Sequence, residues 1–240
     1  MILLPEADPI GNAIYNYHFS RNNSPVKVAS TLVEDEELPP DYFFRTFRQM
    51  PKLERMALRK SKGKILDVGA GAGCHSVWMQ AEGMDVTALE ISQLCCEVMK
   101  DRGLKNIINR SVFDLKDSKF DTILLLMNGI GIAGTTQGLE NLLLHLKNLL
   151  RPGGKILLDS SDLIYLFEQS DGSFLLDINA SQYYGEIDYQ LSYGAIHGQT
   201  FSWLFADHVI LSDIAEKNGF KTRVVEYGPH YDYLAELSLI

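Results

Sequence analysis

Cysteine is scarce, with Cys74, Cys95 and Cys96 the only three in 240 residues. The odd count and the lack of metal-ligand spacing exclude a disulfide framework and a thiolate metal site, so no metal is expected. Such usage fits a reducing compartment, and a cytoplasmic location is the expectation. Long apolar runs are missing too. None approaches the ~18 residues of a membrane span. The start, Met1-Ile2-Leu3-Leu4-Pro5-Glu6, has neither the basic nor the apolar region of a signal peptide. Histidines at 75, 145, 197, 208 and 230 have no paired spacing and read as structural. Positive charge is short. The net charge is −9, and no Lys or Arg occurs between Lys155 and Lys217. That balance argues against nucleic acid and toward a small-molecule partner. Nothing in the sequence sets an oligomeric state.

What is present is ordinary for a globular α/β protein, with 46% hydrophobic and 22% charged residues. Glu34 to Pro40 is acidic, ends in two prolines and reads as a solvated loop. From Asp41, a plausible N-cap, an interrupted helical spacing runs to Lys60, with Pro51 expected to kink or split it. Beyond Gly63, strand-like runs at 64–68, 84–89, 106–110, 121–127 and 155–159 alternate with helical patterns at 73–82, 92–102 and 137–150. This order predicts a parallel sheet covered by helices. Segments 183–193 and 200–206 read as a hairpin, 208–218 as a helix, and 220–227 with 231–239 as two antiparallel strands. The expected organisation is an N-terminal cap over 1–62 and a main domain over 63–240, with a cap insertion around 163–206.

The most informative stretch is Ile65-Leu66-Asp67-Val68-Gly69-Ala70-Gly71-Ala72-Gly73, a buried strand that breaks into three alternating glycines. Glycine lets a ligand approach the main chain and permits backbone angles that other residues avoid. The dinucleotide pattern G-x-G-x-x-G would need its third glycine at Cys74. Four further blocks follow: Glu90 closing the next strand, Ser111-Val112-Phe113-Asp114-Leu115, Phe120 to Asn128, and Leu149-Leu150-Arg151-Pro152-Gly153-Gly154-Lys155. Taken together they resemble the class I S-adenosylmethionine-dependent methyltransferases. The resemblance covers about residues 63–160 and, loosely, the C-terminal hairpin.

The resemblance implies a Rossmann-like, doubly wound, mainly parallel seven-stranded sheet with an antiparallel C-terminal hairpin, plus an N-terminal helical cap and a β-hairpin insertion. It implies S-adenosyl-L-methionine as cofactor. Gly69, Ala70, Gly71 and Gly73 would lie against its methionine and ribose, and Asp67 would hold its amino group. Glu90 would accept from the ribose hydroxyls. Asp114 would accept from the adenine amino group, flanked by Phe113 and Ile91. Met127 and Asn128 would border the methionyl end, and Arg45 or Tyr42 would reach the cofactor carboxylate.

No Asn/Asp-Pro-Pro-Tyr motif follows Leu126, which disfavours amino-methylation of nucleic-acid bases. The region after residue 160 is acidic and aromatic, which suits a small neutral or cationic acceptor. Tyr184, Glu186, His197 and His208 are catalytic candidates only because they lie there. Two alternatives stay open: a cofactor-binding protein without chemistry that acts through partners, and a nicotinamide-type oxidoreductase.

Overall fold

The computed structural model describes residues 2–32, 36–116, 118–175 and 182–240. Glu34, Asp35 and Asp177, part of the acidic stretches above, lie outside the described residues.

The chain opens with helix α1 (Pro9–Ser20), which the sequence reading did not contain. Pro9 sits in its first turn, and the Asp8 side chain caps it by accepting from Gly11 N–H at 2.7 Å. Strands β1 (Val26–Ser30) and β2 (Glu36–Leu38) follow. Residues 36–38 are therefore not a solvated loop. Leu38 pairs with buried Val26, and the strand holds that apolar contact in place.

The helix expected from Asp41 to Lys60 is also different. Pro40–Phe44 and Phe47–Gln49 are single 3-10 turns, and only α2 (Lys52–Lys60) is an α-helix. Arg45 and Thr46 are extended between the turns, and Thr46 with Gln49 forms a capping box that starts the second. Pro51 does split the segment, because it fits a helix start but not an interior.

The alternating region follows its pattern closely. It comprises β3 (Lys64–Val68), α3 (Cys74–Ala81), β4 (Asp85–Glu90), α4 (Gln93–Asp101), β5 (Ile107–Asn109), β6 (Phe120–Leu125), α5 (Thr136–Lys147) and β7 (Leu150–Ser161). The insertion holds β8 (Glu186–Tyr193), β9 (Ile196–His197) and β10 (Phe201–Leu204). The chain then closes with α6 (His208–Lys217), β11 (Phe220–Tyr227) and β12 (Asp232–Leu239).

Seven strands form the main sheet in the order β11-β12-β7-β6-β3-β4-β5. Strands β7, β6, β3, β4 and β5 are mutually parallel, and β12 runs antiparallel to β7 and to β11. One core joins α5 and α6 to the sheet through Leu139, Leu142, Leu146 and Leu211. The other packs α2, α3 and α4 against it through Leu58, Met79 and Met99. Because β3 lies between β4 and β6, the chain reverses its direction of winding at β3. The glycine run leaves β3 at that crevice, where open α/β sheets bind ligands.

The remaining strands make a second, antiparallel sheet, β10-β8-β1-β2, with β9 on β8. Lys27 of β1 pairs with Ser192 of β8, so the N-terminal strands and the insertion are one structure. Gly131, just after β6, lets this sheet sit close. A Cβ there would stand 2.0 Å from Trp203 Nε1.

Helix α1 is fastened to α4 through their caps. Ser92 accepts from Cys95 N–H to cap α4, and its hydroxyl donates to Asp8, the cap of α1. Ser92→Ala removes both bonds. It should lower stability by about 1–2 kcal/mol, read from urea denaturation.

Candidate active site

The glycine turn is tied to the strand beside it. Gly69 N–H donates to Leu89 O at 2.8 Å, and Gly71 N–H donates to Glu90 Oε2 at 2.8 Å. The other Glu90 oxygen accepts from Ser92 N–H at 2.9 Å. Gly71 has φ +56°, a region L side chains avoid. Phe43 closes over it, 3.7 Å from where a Cβ would stand. Gly73 leaves room for Met99. Ala70 is buried, and Asp67 accepts from Ser76 Oγ at 2.6 Å beneath the turn. Burial raises the Glu90 carboxyl above its usual range, against the two backbone donors.

The loops after β4 and β5 present apolar side chains to solvent. Ile91 is 41% exposed and Phe113 43%, with Asp114 beside the latter. Residues 2–4 run along the same edge, since Leu3 N–H donates to Ile91 O.

A second cluster stands on the other side of the turn. Glu54, on the buried face of α2, accepts from Arg45 Nη2 with both oxygens at 2.9 Å. It also meets His75 Nε2 at 2.7 Å. His75 follows the glycine turn directly, so this acid joins α2, α3 and the segment before α2. The Arg45 guanidinium stacks 3.6 Å above the Tyr42 ring. Its Nε and Nη1 are buried with no hydrogen-bond partner among the described residues. Burial works against charge on both Glu54 and His75. Hydrogen bonding from His75 and the charges of His75 and Arg45 nevertheless lower Glu54 below its ordinary value. Cys74, Glu54 and Asp67 raise His75 well above its own, so each partner favours the charged form of the other.

The third cluster is the loop after β6. Met127 and Asn128 both take left-handed backbone angles, φ +60° and +54°. Asn128 donates from Nδ2 to Leu204 O and accepts from Ser160 Oγ, so it locks the loop to β7 and the insertion. Its N–H donates to Asp159 Oδ1 at 3.2 Å. Burial, reinforced by the charge of Glu54, pushes Asp159 up to about 7.

The four catalytic candidates lie apart from these clusters in their bonding. Glu186 accepts from Thr136 N–H and Oγ1 at the start of α5. His208 opens α6, edge-on to Tyr227 and Tyr233. His197 is exposed on β9. Tyr184 donates to Asp162 at 2.7 Å, inside an aromatic network with Tyr183 and Asp207. Sequence reasoning missed Glu54 and Asp159. Their signals were an acid on the apolar Leu53–Ala57–Leu58 face of α2 and an acid ending the fifth parallel run.

Among the described residues no group of His, Cys, Asp and Glu could hold a metal, and no helix is long and apolar enough to cross a membrane. With this arrangement in view, comparison with known proteins gives the class. A family model described as a methyltransferase domain matches residues 44–225. A methyltransferase from Bacteroides fragilis, solved with S-adenosyl-L-homocysteine, is 45% identical, with all of this chain and 98% of that one covered and a TM-score of 0.93. More distant folds include an amino pentose methyltransferase from Micromonospora echinaspora, bound to S-adenosylmethionine (15% identity, 78% and 87% covered, TM-score 0.54). A sugar N-methyltransferase from Streptoalloteichus is comparable (16% identity, 78% and 85% covered, TM-score 0.54). Comparison with curated proteins finds no match. The chain belongs to the class I S-adenosylmethionine-dependent methyltransferases, and S-adenosylmethionine is its cofactor. The nicotinamide alternative therefore falls, in line with Cys74 standing where a third glycine would be needed.

Two outcomes test the electrostatics. Glu54→Ala strands two buried cations and should cost about 3–5 kcal/mol in chemical denaturation. Asp159 has a folded-state value raised from 3.8 to about 7, so the folded state holds its proton more tightly. Its contribution favours folding at low pH and is lost as pH rises through that window. Asp159→Asn should therefore melt above the parent at pH 8, with the difference shrinking toward pH 4 in thermal scans without ligand.

Proposed function

We propose that Arg45 anchors the carboxylate of S-adenosylmethionine, and that the enzyme methylates a small neutral or cationic acceptor. The observation carrying this reading is the pair of buried, unpartnered donors on Arg45, Nε and Nη1. Glu54 fixes the guanidinium from one side and Tyr42 from its face, leaving two N–H groups for a carboxylate. The site thus fits the cofactor by an unmet need of its own.

The other roles follow from placement. Gly69, Ala70, Gly71 and Gly73 offer main chain to the methionine and ribose, with Asp67 beneath them. Glu90 retains free lone pairs for ribose hydroxyls beyond its two backbone bonds. Ile91, Phe113 and Asp114 frame an adenine slot, and the exposure of the two apolar side chains is what an absent ring would cover. Met127 and Asn128 border the methionyl end. When bound, S-adenosylmethionine supplies an activated methyl, whose S–C electron pair stays on sulfur as the acceptor's lone pair bonds to carbon. The protein's own task is to align the acceptor and exclude water.

Residues 1–62 and the insertion around 163–206 act as one cap over the 63–240 domain, a role supported by their shared sheet. A small acceptor agrees with two structural neighbours, an amino pentose methyltransferase and a sugar N-methyltransferase. A cytoplasmic setting is supported by three free, buried cysteines.

Calorimetry with S-adenosylhomocysteine tests the anchor. Arg45→Ala should weaken binding by about 2–3 kcal/mol, and Glu90→Ala by about 1–3 kcal/mol. Unchanged affinity in folded Arg45→Ala would remove Arg45 from the site. Tight binding without turnover on any acceptor would favour a cofactor-binding protein acting through partners.

A further inference from the structure

We propose that the acceptor is an amine that binds as its ammonium ion, and that Asp159 receives a proton from it. The inference rests on the cofactor reading above and deepens it to a substrate class and a catalytic residue.

Asp159 lies on β7 near the end of the main sheet's parallel run, next to the loop that carries Met127 and Asn128. It is half-buried. Among the described residues, Asn128 N–H supplies its one hydrogen bond from another residue. Charged groups on neighbouring elements act on it electrostatically. Glu54 comes from α2 and His75 from α3. Tyr42 comes from the 3-10 turn before α2, close enough for the two to influence each other's ionisation. On the strand side its partner is Leu234 of β12, which carries no charge.

Among the described residues no cation forms an ion pair with Asp159. Arg45 and His75 both bond to Glu54. The insertion cannot supply one, because no Lys or Arg occurs from Ile156 to Glu216. A half-buried carboxylate in the field of a second acid is costly unless a positive partner arrives. An ammonium ion fits that need. An alcohol offers no charge.

The chemistry requires the same group. An ammonium nitrogen has no lone pair to give. Transfer of one proton breaks an N–H bond, forms an O–H bond on Asp159 and leaves the electron pair on nitrogen as a neutral amine. After methylation the nitrogen is positive again, and Asp159 releases its proton to water. Burial raises the Asp159 carboxyl, which makes it a better proton acceptor than an ordinary exposed carboxylate.

The test uses the full chain and a panel of primary amines, each with its matched alcohol. Turnover is read as S-adenosylhomocysteine formed. Without cofactor turnover, binding is read from the Asp159 carboxyl carbon signal in labelled protein saturated with S-adenosylhomocysteine. Amines should shift that signal and be methylated, whereas alcohols should do neither. Asp159→Asn should lose about 100-fold or more in kcat/KM for amines. It should also lose the acidic limb of the pH profile, and keep its affinity for S-adenosylhomocysteine within about threefold. The proposal is overturned if alcohols are methylated as well as amines, if no amine shifts the signal, or if Asp159→Asn keeps full amine turnover. Failure of the parent protein to bind S-adenosylhomocysteine would instead defeat the cofactor reading.

Discussion

The site depends on one buried carboxylate. Glu54 holds Arg45 with both oxygens and His75 with one. These three residues come from an extended linker, from α2 and from the first turn of α3. Ion pairs of this kind do little for net stability, since desolvation offsets the Coulomb gain. Their value here is positional. The arginine reaches its place only because the acid is there, and the acid can be buried only because two cations meet it. What is left over, two buried donors on Arg45 without a partner among the described residues, is what the proposed carboxylate would meet.

A parallel arrangement surrounds Glu90. Glu90 gathers two backbone N–H groups, from Gly71 and Ser92, and Ser92 passes the connection on to Asp8. The loop that would touch the cofactor, the cap of α4 and the cap of α1 thus share one hydrogen-bonded line. The two carboxylates differ in use. Glu54 is saturated by cations, whereas Glu90 is held by neutral donors and keeps its lone pairs available.

Much of this was legible in the sequence, for reasons that differ by element. The parallel region showed itself because its strands are buried on both faces and its helices on one, so that period and position agree from Lys64 to Ser161. The glycine turn and Glu90 showed because their types are unusual at strand ends. Helix α1 did not, since Asn12, Tyr15, Asn16 and Tyr17 blur its stripe and its stability comes from packing on α4. The expected helix from Asp41 failed because Phe44 and Phe47 keep a helical spacing while the backbone between them is extended. Asp159 looked like one acid among many. Its meaning comes from where Glu54, Asn128 and Tyr42 stand, and no local pattern carries that.

The second sheet carries a consequence for how the molecule is made. Its inner pair joins Lys27 to Ser192 across most of the chain, while the strands of the main sheet pair with much nearer partners. During synthesis the first forty residues have no sheet to enter until the insertion leaves the ribosome. The α/β core around β3, β4 and β6 has its local partners long before that. The strands around the glycine turn can pair early, whereas β1 and β8 can pair only after residue 193 has been made.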